Sequence, residues 1–265
     1  MVVRLLRQLG KFPASSIGRV VLTLNAPALD EATLGASLES DALLAQRLHL
    51  CVIRNPAPLG FGANHNQAFD RVYRQPGVQC AGIFCVINPD IEVLTPDVLA
   101  ALATALAQPG VGMAYPRQVN AQGQLLDFER ALTTPWAIGL RQLGKNELTD
   151  GRKLKRPGNP CGVDWVSGAF MAFRADVYAE LNGFDTRYFL YCEDVDVCLR
   201  LQLAGYLLAR ADADVVHHTQ RRTLKNGGHL THHVRSLLRL WCSGAYHQYI
   251  AMKKKNQKDS AAKTG

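Results

Sequence analysis

Residues Cys161–Arg200 read CGVDWVSGAFMAFRADVYAELNGFDTRYFLYCEDVDVCLR, and their decisive part is Tyr188-Phe189-Leu190-Tyr191-Cys192-Glu193-Asp194-Val195-Asp196. Three carboxylates follow directly on an aromatic run. Val195, Cys198, Leu199 and Gln202 then continue at helical spacing to a stop at Gly205. The acids therefore open a helix. There the helix dipole favours the ionised form, which suits a general base. Acidic first turns are also ordinary capping chemistry, so the cluster alone leaves both readings open.

The surroundings decide between them. Trp165-Val166-Ser167-Gly168-Ala169 precedes the cluster, Asn182-Gly183-Phe184-Asp185 leads into it, and Arg200 and Gly205 follow it. This ordered set resembles the W-x-S-G-A … G-G-F-D … E-D-x-D-x-x-x-R … G signature of family-2 glycosyltransferases, and within them the rhamnosyltransferase-type members. The resemblance implies a GT-A fold, an α/β domain whose mixed, mainly parallel sheet is flanked by helices. It implies an inverting transfer from a nucleotide sugar, dTDP-L-rhamnose, onto a saccharide or lipid-linked glycan in cell-surface polysaccharide synthesis. Asp194 would be the catalytic base, with Trp165, Ser167, Gly168, Glu193 and Asp196 on the acceptor side.

Composition sets the outer limits. The chain has 265 residues, 48% hydrophobic and 20% charged, enough for one sizeable core. The expected division is a catalytic domain over 1–222, an amphipathic helical appendage over 223–252 and a basic disordered tail over 253–265. No apolar run reaches the length of a membrane span and no secretory signal precedes the first strand, which predicts a cytoplasmic product. Seven cysteines without a C-x-x-C pair argue for reduced thiols rather than a disulfide framework or zinc ribbon. The net charge of +8 suits anionic partners in general. Nucleic acid is not expected, because basic and aromatic residues are not interleaved on a strand platform or recognition helix.

On the donor side, Val2, Leu5, Leu6 and Leu9 predict an amphipathic helix, and Arg19–Asn25 a strand buried on both faces. Against the family pattern this strand reads as the second, with the first missing and no acid near Asn25; the alternative is that the second is lost. Either version implies a donor site that departs from the pattern, and hence a poorly binding member as the rival reading. Leu48–Arg54 predicts another strand. The block that follows, Asn55-Pro56-Ala57-Pro58-Leu59-Gly60-Phe61-Gly62-Ala63-Asn64-His65-Asn66, allows a tight turn into a helix whose first amides can face a diphosphate. It resembles the family's N-x-G-F-G donor block, which assigns Asn25, Asn55, Gly60, Phe61, Gly62 and Asn66 to nucleotide binding.

The strand Gly82–Ile87 runs into Asn88-Pro89-Asp90, at the strand end where open α/β sheets bind ligands. An Asx-Pro turn explains this tripeptide when it stands alone. Beside the other blocks it resembles the family's D-x-D metal motif, which assigns Asn88 and Asp90 to the donor, and Asp90 with His217 to Mg2+ or Mn2+. A hard divalent cation suits carboxylate oxygen and can bridge a diphosphate. The resemblance also gives Arg221 to a donor phosphate. Residues 131–160 read as a basic loop beside the cleft. The segment Leu230, Val234, Leu237, Leu238, Trp241 is apolar on one side and basic on the other. Docking on the catalytic domain and peripheral contact with the inner membrane are both open for it.

Overall fold

The computed structural model describes residues 1–25, 42–132, 163–218 and 227–262. Helix α1 (Val2–Leu9) buries Leu5, Leu6 and Leu9, the face its periodicity predicts. Strand β1 (Val21–Leu24) pairs in parallel with β2 (Cys51–Arg54), and α2 (Ala42–Arg47) precedes β2. Only Leu24 of β1 is fully buried, so the expected double-sided burial holds at its end alone. Helix α3 (Phe61–Tyr73) leads to β3 (Ile83–Ile87), then β4 (Ile91–Glu92) and α4 (Asp97–Leu106). The long strand β5 (Val111–Val119) is followed by β6 (Glu129–Arg130), β7 (Trp165–Val166) and β8 (Phe170–Arg174). Helices α5 (Ala175–Glu180) and α6 (Glu193–Leu203) precede β9 (Leu207–His217).

The central sheet has five strands in the order β3-β8-β5-β9-β4. Its residues alternate between two cores, as a pleated strand must. On β8, Met171 and Phe173 join one core while Phe170 and Ala172 join the other. On β5, Met113 and Tyr115 face the first and Ala114 the second. The sheet is mixed and flanked by helices, as expected, but it is not mainly parallel. Strands β5 and β9 run parallel, whereas β3·β8, β5·β8 and β4·β9 are antiparallel. Direction was illegible because a central strand covered on both faces reads as a continuous apolar run whichever way it runs.

The C-terminal region is helical, as expected up to 252, and the helix runs on through residues expected to form a disordered tail. Two helices form, α7 (Gly227–Trp241) and α8 (Gly244–Ala262). Leu240, Tyr246 and Tyr249 are buried in the core that also holds α6. Of the predicted apolar stripe, Leu237 and Trp241 pack against this core, whereas Leu230, Val234 and Leu238 stay exposed. The tail is helical because Lys253 finds a buried partner: its Nζ lies 2.8 and 2.6 Å from the two carboxylate oxygens of Asp164. Tyr249 Oη also donates to Asp164 Oδ1 at 3.0 Å.

Replacing Lys253 by Met would remove the ammonium that lies 2.6 and 2.8 Å from the carboxylate oxygens of Asp164, a residue only 2% exposed. The expected loss is about 3 kcal/mol in urea denaturation, and Asp164→Asn combined with Lys253→Met should restore part of it.

Candidate active site

Asn88-Pro89-Asp90 joins β3 to β4. The Asn88 N–H donates to Ala169 O at 2.8 Å, and the Ile91 N–H to Asn88 O at 3.1 Å, which closes the turn. Across it, the His218 N–H donates to Asp90 O at 3.0 Å, so the end of β9 is stitched to the turn. This brings His217 Nε2 to 3.5 Å from Asp90 Oδ2. The other ring nitrogen of His217 is 2.9 Å from Gln118 Oε1. With the Gln118 oxygen facing the ring, Nδ1 carries a proton, and in the neutral ring Nε2 is the nitrogen free to ligate a cation on the Asp90 side. Asp90 Oδ1 is buried without a partner. A lone pair beside a carboxylate with an orphaned oxygen fits a divalent cation, which both groups would ligate. Among the described residues no group of three or more His, Cys, Asp or Glu is placed to hold a metal, so other donors would have to come from ligand or water. Sequence reasoning missed Gln118. Its signal was available: a glutamine beside Arg117 at the end of a mostly apolar strand, and in the structure Gln118 is 1% exposed.

The carboxylates sit at the start of α6, where the spacing predicts them. The chain enters that helix through Tyr191 and Cys192 with φ of 72° and 68°. Two successive non-glycine residues in the left-handed region are disfavoured and persist only where their surroundings enforce them, most often at functional sites. Asp194 Oδ2 accepts the Gly168 N–H at 3.1 Å and Oδ1 accepts the Val195 N–H at 2.9 Å. A β-carbon at Gly168 would meet Asp194 Cβ at 3.3 Å, so a small residue there lets the amide approach. Burial pushes the Asp194 carboxyl above its ordinary range, against the pull of these N–H groups. Glu193 is pushed up to about 8, first by burial and then by the charge on Asp194. Its Oε2 is buried and unpartnered.

Several residues assigned to ligands make framework contacts. Asp196 is 3% exposed and ion-paired with Arg200, whose Nη atoms donate to Leu181 O at 2.6 Å and Gly183 O at 2.8 Å. It clamps the turn before α6. Trp165 is 8% exposed, donates Nε1–H to Ala131 O, and is capped by the Arg130 guanidinium 5.1 Å from its ring, so that face is not open to a sugar. Asn66 is spent on Phe184 and Tyr178: its Oδ1 accepts the Phe184 N–H at 2.9 Å and the Tyr178 O–H at 2.7 Å, and its Nδ2 donates to Phe184 O.

The donor block folds as expected, for a different reason. A β-carbon at Gly60 would lie 2.7 Å from Phe189 O and 2.8 Å from Phe189 Cα, and one at Gly62 would lie 2.6 Å from Phe184 Cβ. The glycines permit close packing on the acceptor-side segment rather than on a phosphate. The Phe61 N–H donates to Phe189 O at 2.9 Å. Behind this turn Asn55, 1% exposed, donates to Asn25 Oδ1 and to Asn64 Oδ1, while Asn25 exchanges hydrogen bonds with the backbone of Leu59. Ser167 lies half-buried between Trp165 and Gly168, its N–H on Phe128 O. Arg221 and the loop 131–160, apart from Ala131 and Leu132, lie outside the described residues.

A mixed sheet flanked by helices is the layout of the GT-A fold. Residues 4–236 match the glycosyltransferase like family 2 model, and the chain belongs to that family. It is 48% identical over 63 residues to the rhamnosyltransferase WbbL of Escherichia coli (strain K12), covering 22% of this chain and 24% of that protein. It is 28% identical over 170 residues to the N-acetylglucosaminyl-diphospho-decaprenol L-rhamnosyltransferase of Mycobacterium tuberculosis (strain ATCC 25618 / H37Rv), covering 57% of this chain and 52% of that protein. The matches thus span about half or less of these relatives. Among solved structures, the mannosyltransferase PcManGT of Pyrobaculum calidifontis, in complex with GDP-Man and Mn2+, superposes with a TM-score of 0.54 at 16% identity, covering 90% of this chain and 61% of that one. GalNAc-T7, with UDP, GalNAc and Mn2+, gives 0.61 at 14% identity, covering 97% and 48%. At these identities the likeness is one of fold.

The raised pKa of Glu193 sets the sign of a stability effect. Its folded value lies above the ordinary unfolded value of about 4.3, so the stability that comes with its protonation is full below that pH. This stability is lost as pH rises towards about 8. Glu193→Gln should therefore melt progressively higher than the parent as pH increases from about 5 to about 8, measured by thermal denaturation at each pH.

Proposed function

We propose that this chain moves L-rhamnose from dTDP-L-rhamnose to a lipid-linked glycan acceptor, with inversion at the anomeric carbon, in cell-surface polysaccharide synthesis. One observation carries the chemistry: Asp194 is half-buried at a helix start, with both oxygens fixed by the Gly168 and Val195 amides. A carboxylate raised by burial is a better proton acceptor near neutral pH than a solvated one. Asp194 takes the proton of the acceptor hydroxyl as that oxygen attacks the anomeric carbon. The bond from that carbon to the diphosphate breaks, and dTDP leaves with the electron pair. Glu193, protonated below about 8, lies next to this base as a neutral hydrogen-bond donor and adds no second charge. Asp90 and His217 would hold Mg2+ or Mn2+, which when bound neutralises charge on the departing diphosphate. Gln118 keeps the His217 lone pair directed at that position.

The donor and acceptor rest on the relatives. Both are rhamnosyltransferases, and the name of the mycobacterial one gives an N-acetylglucosaminyl-diphospho-decaprenol acceptor. Such a reaction belongs on the cytoplasmic side of a membrane. Exposed Lys254, Lys255 and Lys258 on α8 support peripheral contact with its anionic surface. One observation favours a second reading, a member that binds donor poorly: the Asn25 amide, at the strand end where the family usually has an acid, is occupied by Leu59.

Isothermal titration with dTDP and UDP, with and without Mn2+, separates the two. Metal-dependent binding of dTDP in preference to UDP supports the first reading, and no binding of either supports the second. Asp90→Ala and His217→Ala should each abolish the metal-dependent part of that binding. Asp194→Asn should lower transfer by about 10²–10⁴-fold while dTDP binding stays at the parent level. Near-normal transfer by Asp194→Asn would sink the assignment of the base.

A further inference from the structure

Helix α7 lies across the segment that delivers the carboxylates. Ser236 donates Oγ–H to Leu190 O at 2.8 Å, His232 stacks on Phe189 with ring centres 4.9 Å apart, and His233 meets Tyr191 edge-on at 5.0 Å. The charge on Asp194 reaches this helix, since it opposes the lowering that burial imposes on His233. Beside the contact opens a cleft of about 180 Å³, lined by Arg187, Phe189, His232, Arg235, Ser236 and Arg239. Three guanidinium groups and an imidazole converge there with no carboxylate in the lining. Arg187 is held from outside by Asp185, at 2.6 Å. Among the described residues neither Arg235 nor Arg239 makes an ion pair.

Like charges gathered in a concave site favour an anion, and the planar fork of arginine matches phosphoryl oxygens. The same helix exposes Leu230, Val234 and Leu238 by 63%, 48% and 55%. These recur one turn apart and form a strip next to Arg235. A free phosphate would use the arginines and leave the strip in water. An anion borne on an apolar chain would use both.

We infer that this cleft binds the phosphoryl group of the acceptor, an anion carried on an apolar chain, and so presents the acceptor's reacting end to Asp194. The inference rests on the lipid-linked acceptor proposed above and adds the residues that would select it. Arg235 and Arg239 supply the uncompensated charge. Arg187, fixed by Asp185, gives the cleft a rigid edge, and the stacked Phe189 and His232 form its wall. Because Phe189 belongs to the segment that runs into Asp194, the phosphoryl group and the attacking hydroxyl are referred to one piece of backbone.

The test titrates the full chain with farnesyl diphosphate, farnesol and inorganic pyrophosphate, and floats it with vesicles of phosphatidylcholine and phosphatidylglycerol. Farnesyl diphosphate should bind at least about tenfold more tightly than either control, as expected for one or two charge-assisted bonds added to apolar contact. The R235A/R239A double variant should lose at least about tenfold of that affinity, with its melting temperature, Mn2+-dependent dTDP binding and vesicle flotation unchanged. R235K/R239K, which keeps charge without the fork, should recover part of it. Equal affinity of parent and double alanine variant overturns the site, as does pyrophosphate binding as tightly as farnesyl diphosphate. Loss of flotation with farnesyl diphosphate affinity intact would assign the arginines to a bilayer and overturn it too. A chain that binds farnesyl diphosphate through these arginines yet transfers no sugar would remove the proposed reaction and leave the site standing.

Discussion

The Phe61 N–H donates to Phe189 O at 2.9 Å, across a contact where residue 60 has no room for a side chain. Phe61 opens α3, in the block that resembles the donor motif; Phe189 belongs to the segment that ends in the carboxylates proposed for catalysis. The two halves of the proposed reaction are therefore joined backbone to backbone. A main-chain hydrogen bond with no intervening β-carbon has little slack. Asn66 adds a second tie from the same helix to Phe184, and Asn55 holds the turn from behind through Asn25 and Asn64. The asparagines of this block are struts whose amides offer a donor and an acceptor at once, which neither a carboxylate nor an amine could do here.

Such rigidity matters because the segment it holds is strained and carries buried charge. Tyr191 and Cys192 are both left-handed, Glu193 is buried, and Asp194 beside it is half-buried. Left to relax, the turn would release its strain and hydrate the carboxylates, which would return Asp194 to an ordinary weak base. The Asp196–Arg200 pair guards the same turn from below, by binding the carbonyls of Leu181 and Gly183. Of the three acids in the cluster, then, one is poised for chemistry, one is kept neutral beside it, and one is spent on holding the others in place.

This division of labour was only half legible in the sequence. Helical spacing located α6 and its acidic first turn, and the strand-end rule located Asp90, because both depend on local pattern. The partner of each acid depends on residues far along the chain. Nothing near Asp196 distinguishes a clamp from an acceptor ligand until Arg200 is seen to reach Leu181 and Gly183. Trp165 reads as a stacking platform until Arg130 is found over its ring. The glycines of the donor block read as a phosphate cradle because their true neighbours, Phe184 and Phe189, are distant in sequence. Sheet direction failed for a related reason, since apolarity reports burial and not polarity of the strand. The lysine-rich tail looked unable to bury anything, and one buried aspartate at residue 164 was enough to reverse that.

The C-terminal helices complete the argument about the segment before α6. One side of Tyr188–Cys192 is fixed by α3; the other is covered by α7, through Ser236 on Leu190 O and the histidines on Phe189 and Tyr191. Helix α8 in turn is anchored to Asp164, next to Trp165 and upstream of the Gly168 amide that holds Asp194. Both ends of the base's environment are thus tied to elements that a minimal sheet-and-helix domain would not need. A helix that served only to cover apolar surface would have no reason to line a cleft with arginines that make no ion pair among the described residues and leave three aliphatic side chains in water beside them. Its position makes it a wall of the site as well as a lid on the core.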